Sequence, residues 1–362
     1  MGKWILVASL LAAVALLSAE ANHSPLVFIF GDSTTDVGTN NYLKKSLARA
    51  DMPYYGIDYP GSKATGRFSN GYNTADLTVR ALLKNGEKSP PPFLRLIRHP
   101  DTLKHNLLWC GANFASAGSG ILDATGNVTW KKVVPLSEQI SQFATARSNI
   151  TAALKNKSKA DALIAKSLFV ISVGSNDFFD HQGAGDTTPP DTFVATLSQA
   201  YTNHLENLYN LGARKFGIIS VPPIGCCPHE RFLNGSGDCF DSMNDFAKAF
   251  YVSTASLLLD FSVKYPDVKY SLADAYNMTM VVIADPSTYG FKEVKKACCG
   301  IGDFNGEGPC NKTANLCQNR GDYLFYDWFH PTQNASTIAA SILCDGPPQF
   351  VSPINFRQLA LA

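Results

Sequence analysis

The chain has 362 residues, 45% of them hydrophobic and 17% charged, with a formal net charge of +1. That much apolar material fills a large core and excludes a disordered chain. So small a charge, with no long basic run, excludes nucleic acid as a partner and gives no pull toward a membrane surface.

The N-terminus reads first as a signal peptide. Lys3 precedes an apolar run at 4–17, and Ala19-Glu20-Ala21 is a small-x-small cleavage site. The run is shorter than the roughly 20 apolar residues of a membrane span. The expectation is a leader at 1–21 and a mature domain at 22–362, secreted to the cell wall or apoplast without a stable membrane anchor. An apolar run at 26–30 (LVFIF) follows, long enough for a buried strand. Leu136, Ile140 and Phe143 lie at helical spacing. A second buried strand is expected at 168–173 (LFVISV). Phe193, Leu197, Tyr201, Leu205 and Leu208 then mark one helix face, and Gly212 stands ready to stop it. The third strand, 216–221, ends at Pro222-Pro223. A helix over 242–263 and strands near 268–272 and 323–326 complete the set.

Strand–helix–strand units of this length give parallel strands with right-handed crossovers. Strands without polar alternation are buried on both faces. The expected fold is a single α/β/α sandwich domain with a mainly parallel, flavodoxin-like sheet. In such sheets ligands sit outside the carboxyl ends of strands.

Eight Asn-x-Ser/Thr sites fit an exported chain: Asn22, Asn127, Asn149, Asn156, Asn234, Asn277, Asn311 and Asn334. Asn22 lies close to the cut, so the glycosylation candidates are the other seven. The nine cysteines read as disulfides in an oxidising compartment. A zinc site on Cys298, Cys299, Cys310 and Cys317 is the rival, but adjacent cysteines are poor ligand spacing. Cys226–Cys239 is expected across the flexible turn at 234–237. Cys298 and Cys299 should pair with Cys310 and Cys317 in an order the sequence leaves open. The odd count puts at least one thiol outside these pairs, expected among Cys110, Cys227 and Cys344.

Chemistry gathers where the sheet rule points. Gly31-Asp32-Ser33 follows the first strand, and Gly174-Ser175-Asn176-Asp177 the second. Asp327-Trp328-Phe329-His330 follows the last. Gly118 lies in a small-residue stretch at 111–120. Alone, a Gly-Asp-Ser is a turn and an Asp-x-x-His a surface pair. Their joint occurrence in order carries the argument.

With FGDSTTDVGTNN at 30–41, GRFSNG at 66–71, NFASAGSGI at 113–121, VGSND at 173–177, PPIGCCP at 222–228 and FYDWFHPT at 325–332, the chain resembles the plant-type GDSL esterase/lipase family of SGNH hydrolases. The resemblance runs over almost the whole mature chain. It implies Ser33 as nucleophile, with Asp327 and His330 completing a triad. It implies an oxyanion hole from the backbone N–H groups of Ser33 and Gly118 and the Asn176 side chain. Thr34 departs from the usual Leu, Thr39 from the usual Asn, and Cys227 from the commoner Leu; none of these removes a catalytic group.

Physical chemistry assigns the same roles. A serine hydroxyl needs a base to take its proton, and histidine titrates in the right range. The histidine needs an acceptor on its other ring nitrogen, which Asp327 can supply if the segment forms one helical turn. A tetrahedral intermediate needs preorganised donors. No G-x-S-x-G elbow, H-E-x-x-H, P-loop or G-x-G-x-x-G occurs. The remaining histidines show no metal spacing, so neither metal nor cofactor is expected, and His204 reads as structural. Arg67 and Asn70 either touch substrate or brace their loop.

The leading expectation is a monomeric carboxylic-ester hydrolase acting on lipid, small acyl or acetyl esters, or on an acylated cell-wall polymer. Acyl transfer to an alcohol at the same site and a retired binding scaffold are the alternatives. Acyl and alcohol preference should lie in loops at 38–59 and the pocket beyond.

Overall fold

The computed structural model describes residues 25–83 and 89–362. The leader and Asn22 fall outside the described residues. Strands β1 (Val27–Gly31), β2 (Gly111–Asn113), β3 (Leu168–Ser172), β4 (Lys215–Ile219) and β5 (Lys269–Ala273) are parallel neighbours in one six-stranded sheet. A small ribbon, β6 (Cys299–Gly300) with β7 (Asn315–Leu316), stands apart, and β8 (Val351–Ser352) closes the sheet antiparallel to β5. The sheet order is β2-β1-β3-β4-β5-β8.

The helices used below are α1 (Thr74–Leu83), α2 (Leu136–Leu154), α3 (Ser175–Gly183), α4 (Pro190–Asn210), α5 (Pro228–Asn234), α6 (Asp241–Lys264), α7 (Ala275–Ala284) and α8 (Gln333–Asp345). Strand alternation sorts the core into two layers. Phe28, Phe30, Phe169 and Phe216 pack with residues of α2, α4 and α6 on one face. Val27, Ile29 and Val170 pack with α1, α8 and the Phe356–Leu361 helix on the other. Both faces are covered, which is why these strands carry no polar alternation. Helix α6 is long and apolar enough to cross a membrane by length and composition. Here its Ala247, Phe250, Leu258 and Phe261 lie in the core instead.

The structure departs from the expected strands in two ways. Residues 323–326 form no strand of the sheet. Their backbone pairs instead with the Cys298-Cys299 stretch, Cys298 N–H donating to Phe325 O and Cys299 N–H to Tyr326 O. Tyr323 and Tyr326 pack against the disulfide-stapled loop, and Leu324 and Phe325 pack with Cys227, Val282 and Phe291. The edge strands β2 and β8 were not expected; at three and two residues they carry no periodic signal.

The bridges are Cys226–Cys239, Cys298–Cys317 and Cys299–Cys310. The order open in the sequence is thus nested, and the same four sulfurs rule out the zinc alternative. Cys227 and Cys344 are buried thiols, and burial pushes Cys344 up to about 12.

Candidate active site

The carboxyl edge of the sheet brings the expected residues together. β1 ends at Gly31, where φ is +136° and a Cβ would lie only 1.9 Å from the Ser172 carbonyl oxygen, so the position admits only glycine. The chain turns there, and Asp32 N–H donates to Ser172 O at 3.1 Å. Thr34, where a Leu was the resemblance's expectation, donates through its hydroxyl to Asp32 at 2.8 Å. Gln139 on α2 grips Gly31 from both sides, accepting from its N–H and donating to its carbonyl, each at 2.9 Å.

His330 Nε2 lies 2.7 Å from Ser33 Oγ, and His330 Nδ1 lies 2.7 and 2.9 Å from the two Asp327 oxygens. The 327–330 segment is not a helical turn. Asp327 Oδ1 accepts from the backbone N–H groups of Phe329 (3.0 Å) and His330 (2.8 Å), an Asx-type turn, and Pro331 disfavours helix at the preceding residue. Tyr55 adds a hydrogen bond from its hydroxyl to Asp327 Oδ2 at 2.7 Å. Asp327 is fully buried. Burial alone would raise its carboxyl, but the adjacent imidazole and the donated hydrogen bonds outweigh it and hold the group below the usual carboxylate range. Burial and the Asp327 charge push the Tyr55 phenol well above its ordinary value, so it stays a donor.

Three donors border the same space. Among the described residues, the backbone N–H groups of Ser33 and Gly118 have no acceptor. Gly118 has φ +81°, and the Trp130 ring covers its Cα so closely that a Cβ would lie 2.4 Å from Trp130 Cδ1. The Asn176 amide donates one hydrogen to Ser119 O at 3.0 Å. Its second hydrogen remains for another acceptor.

The backbone carrying these donors is braced by buried carboxylates. Asp177 accepts from Ile121 N–H (2.9 Å), Leu122 N–H (3.1 Å) and Thr125 Oγ1 (2.7 Å). Asp36 accepts from Gly38 and Thr39 N–H and from Ala117 N–H at 3.0 Å. Burial pushes both carboxyls up to about 6, against the pull of these donors. Arg67 is paired bidentately with buried Asp76, and Asn70 bridges Asp58 and the Gln333 N–H, so both brace their loop. His204 bonds the Ile121 carbonyl at 2.9 Å.

Ser33, Gly118, Asn176 and His330 open on a mainly apolar cavity of about 400 Å³. Its walls include Phe179 of α3, Met278 and Val282 of α7, and Ile338 and Ile342 of α8. Of the loop expected to set specificity, residues 38–59, only Ala48 reaches the wall.

A doubly covered parallel sheet with Ser, His and Asp hydrogen-bonded in series at its carboxyl edge has the layout of a serine hydrolase. The GDSL-like lipase/acylhydrolase family pattern matches residues 27–343, and the chain belongs to that family. Two GDSL esterase/lipases of Arabidopsis thaliana are 35% and 36% identical, over 93% and 92% of this chain and 93% and 87% of theirs. A third, LTL1 of the same plant, is 35% identical over 98% of this chain and 95% of its own. The protein is accordingly a carboxylic-ester hydrolase. A solved structure described as a GDSL-like lipase from Parabacteroides merdae covers 88% of this chain and 94% of its own at 12% identity and a TM-score of 0.35, too loose a likeness to carry an argument.

Proposed function

We propose that this protein hydrolyses esters through an acyl-enzyme on Ser33. The observation that carries the reading is the unbroken series Ser33 Oγ–His330 Nε2, His330 Nδ1–Asp327, with spacings of 2.7 Å. His330 takes the Ser33 proton as Oγ attacks the ester carbonyl, and Asp327 holds the ring and stabilises the imidazolium. The carbonyl oxygen gains charge as the tetrahedral intermediate forms. The unpaired N–H groups of Ser33 and Gly118 and the second Asn176 hydrogen are the donors for it. His330 then gives the proton to the departing alcohol. Water attacks the acyl-enzyme by the same path and frees the acid.

The cavity supports an apolar acyl chain in preference to acetyl, since an acetyl group would leave most of its 400 Å³ unfilled. We also infer a leader at 1–21, one hydrolase domain at 22–362 and export. Three disulfides suit an oxidising compartment. Asn127, Asn156 and Asn277 are exposed and Asn149, Asn234, Asn311 and Asn334 are partly exposed, so each is open to glycosylation.

The test is a series of p-nitrophenyl esters of rising chain length with Ser33→Ala as the blank. Loss of the nucleophile should cost on the order of 10⁶-fold in kcat, and a fluorophosphonate probe should label the wild type at Ser33 only. Activity of Ser33→Ala within tenfold of wild type would remove Ser33 from the mechanism.

A further inference from the structure

Among the polar side chains that the cavity reaches and ester hydrolysis leaves unused are Gln182 on α3, and His229 and Glu230 on α5. Glu230 is only 1% exposed. Its carboxyl accepts a hydrogen bond from Gln182 Nε2 at 3.0 Å. A carboxyl group has about four acceptor sites, so one amide satisfies it poorly, and a poorly satisfied buried carboxyl destabilises the empty protein. Burial raises the affinity of Glu230 for a proton, with the Gln182 bond opposing. In its protonated form the group donates as well as accepts.

His229 complements it. Its Nδ1 lies 2.8 Å from the Gly306 carbonyl oxygen, which can only accept, so Nδ1 carries the hydrogen. Burial holds the ring below its ordinary pKa and therefore neutral near pH 7, so Nε2 is an acceptor. Gln182 sits six residues after Asn176 on the same helix, about 9 Å farther along its axis at 1.5 Å per residue. Phe179 lies between them on the cavity wall. The order along α3 is thus polar donor, apolar ring, polar cluster.

We propose that Gln182, His229 and Glu230 form a hydroxyl-binding subsite, selecting esters that carry an O–H on the order of 9 Å from the reacting carbonyl. The inference rests on the ester hydrolysis proposed above. The hydroxyl gives its hydrogen to His229 Nε2 or a Glu230 oxygen and accepts one from the Gln182 amide or protonated Glu230. It belongs either to the acyl chain or to the alcohol, and the recognition chemistry is the same for both.

Two substrate pairs, assayed with the full-length protein, separate these sources. Heptanoate and 7-hydroxyheptanoate p-nitrophenyl esters report an acyl hydroxyl; pentyl decanoate and 5-hydroxypentyl decanoate report an alcohol hydroxyl. The hydroxylated member of one pair should show kcat/KM about tenfold higher or more. That ratio should fall to about one in Glu230→Leu. Gln182→Leu, at a half-buried position, should lower it similarly and keeps the test open if Glu230→Leu does not fold. Ratios near one for both pairs in the wild type, or a preference that survives the substitutions, would overturn the subsite and leave the esterase reading standing. Preference for choline decanoate over all four esters would make the site cation-binding and overturn it too. Turnover of no ester at all would overturn the hydrolase reading beneath it.

Discussion

Ser33, Gly118 and Asn176 stand two, five and four residues past the ends of β1, β2 and β3. The cavity they open into is walled by side chains of α3, α7 and α8 and of the 222–230 segment. The first region is positioned by backbone: its turns are tied into the sheet and gripped by Gln139, Asp36 and Asp177. The second is shaped by side chains, most of them apolar, with Gln182, His229 and Glu230 among its polar members. On the proposed mechanism, a reaction that tolerates little displacement of its atoms is built on the rigid region, and substrate choice is left to the replaceable one. Changes at the sheet edge should therefore lower turnover for every ester. Changes in the wall should reorder esters among themselves.

The sharpest way to break this division, beyond loss of Ser33 itself, is Asp327→Asn. It preserves shape while favouring the wrong tautomer of His330, and kcat should fall about 10⁴-fold for short and long esters alike. Asn176→Ala should follow at about 10²- to 10³-fold in kcat with KM little changed, because on the proposed mechanism its free hydrogen meets charge that exists only in the transition state. The Ser119 bond gives Asn176 a structural share as well, so melting temperature must be measured on the same sample. A lower melting temperature with normal kcat would leave it a brace only. From the wall side, Val282→Phe fills space in the cavity. The ratio of decanoate to acetate turnover should drop about tenfold; equal losses for both esters would mean that the wall and the catalytic edge are not separable.

The same division decides what the sequence discloses. Of the proposed catalytic groups, Ser33 and Asn176 are legible because each follows an expected strand within a few residues, where a local motif and the sheet-edge rule coincide, whereas Asp327 and His330 are legible by their motif alone. The braces are not. Gln139 meets Gly31 across 108 positions, Asp36 meets Ala117 across 81, and Tyr55 meets Asp327 across 272. No local pattern encodes such pairs. The expected strand at 323–326 fails for a related reason: apolarity reports burial, not the partner that provides it. The cavity wall is the least legible part, because it draws single residues from helices whose periodicity speaks only of the core. The loop at 38–59 looked suitable for specificity, yet only its Ala48 reaches the cavity wall, while its Asn40 and Tyr55 brace the site through Ala117 O and Asp327.

Tyr55 supplies the smallest predicted effect and the finest test of what bracing contributes. It touches neither Ser33 nor the cavity, and its hydroxyl acts only through Asp327. Tyr55→Phe keeps the ring, which packs edge-on against Phe68 and Tyr326. Only one donor to the carboxylate is lost, while the His330 ring and two backbone N–H groups remain. A hydrogen bond to a charged group contributes about 1.5–3 kcal/mol, so stability near neutral pH should fall by about that much, with kcat reduced only a few-fold. The sign with pH follows from the depressed carboxyl. A carboxylate held below its unfolded value stabilises the fold above that value, about 3.9, and loses the contribution as pH falls through the folded one. The wild type and Tyr55→Phe should therefore differ most in melting temperature near neutral pH and converge as the medium is acidified past the ordinary carboxylate range. A difference that stays constant with pH would show that the hydroxyl matters through packing or a neutral partner, and Tyr55 would lose its place among the groups that keep Asp327 charged.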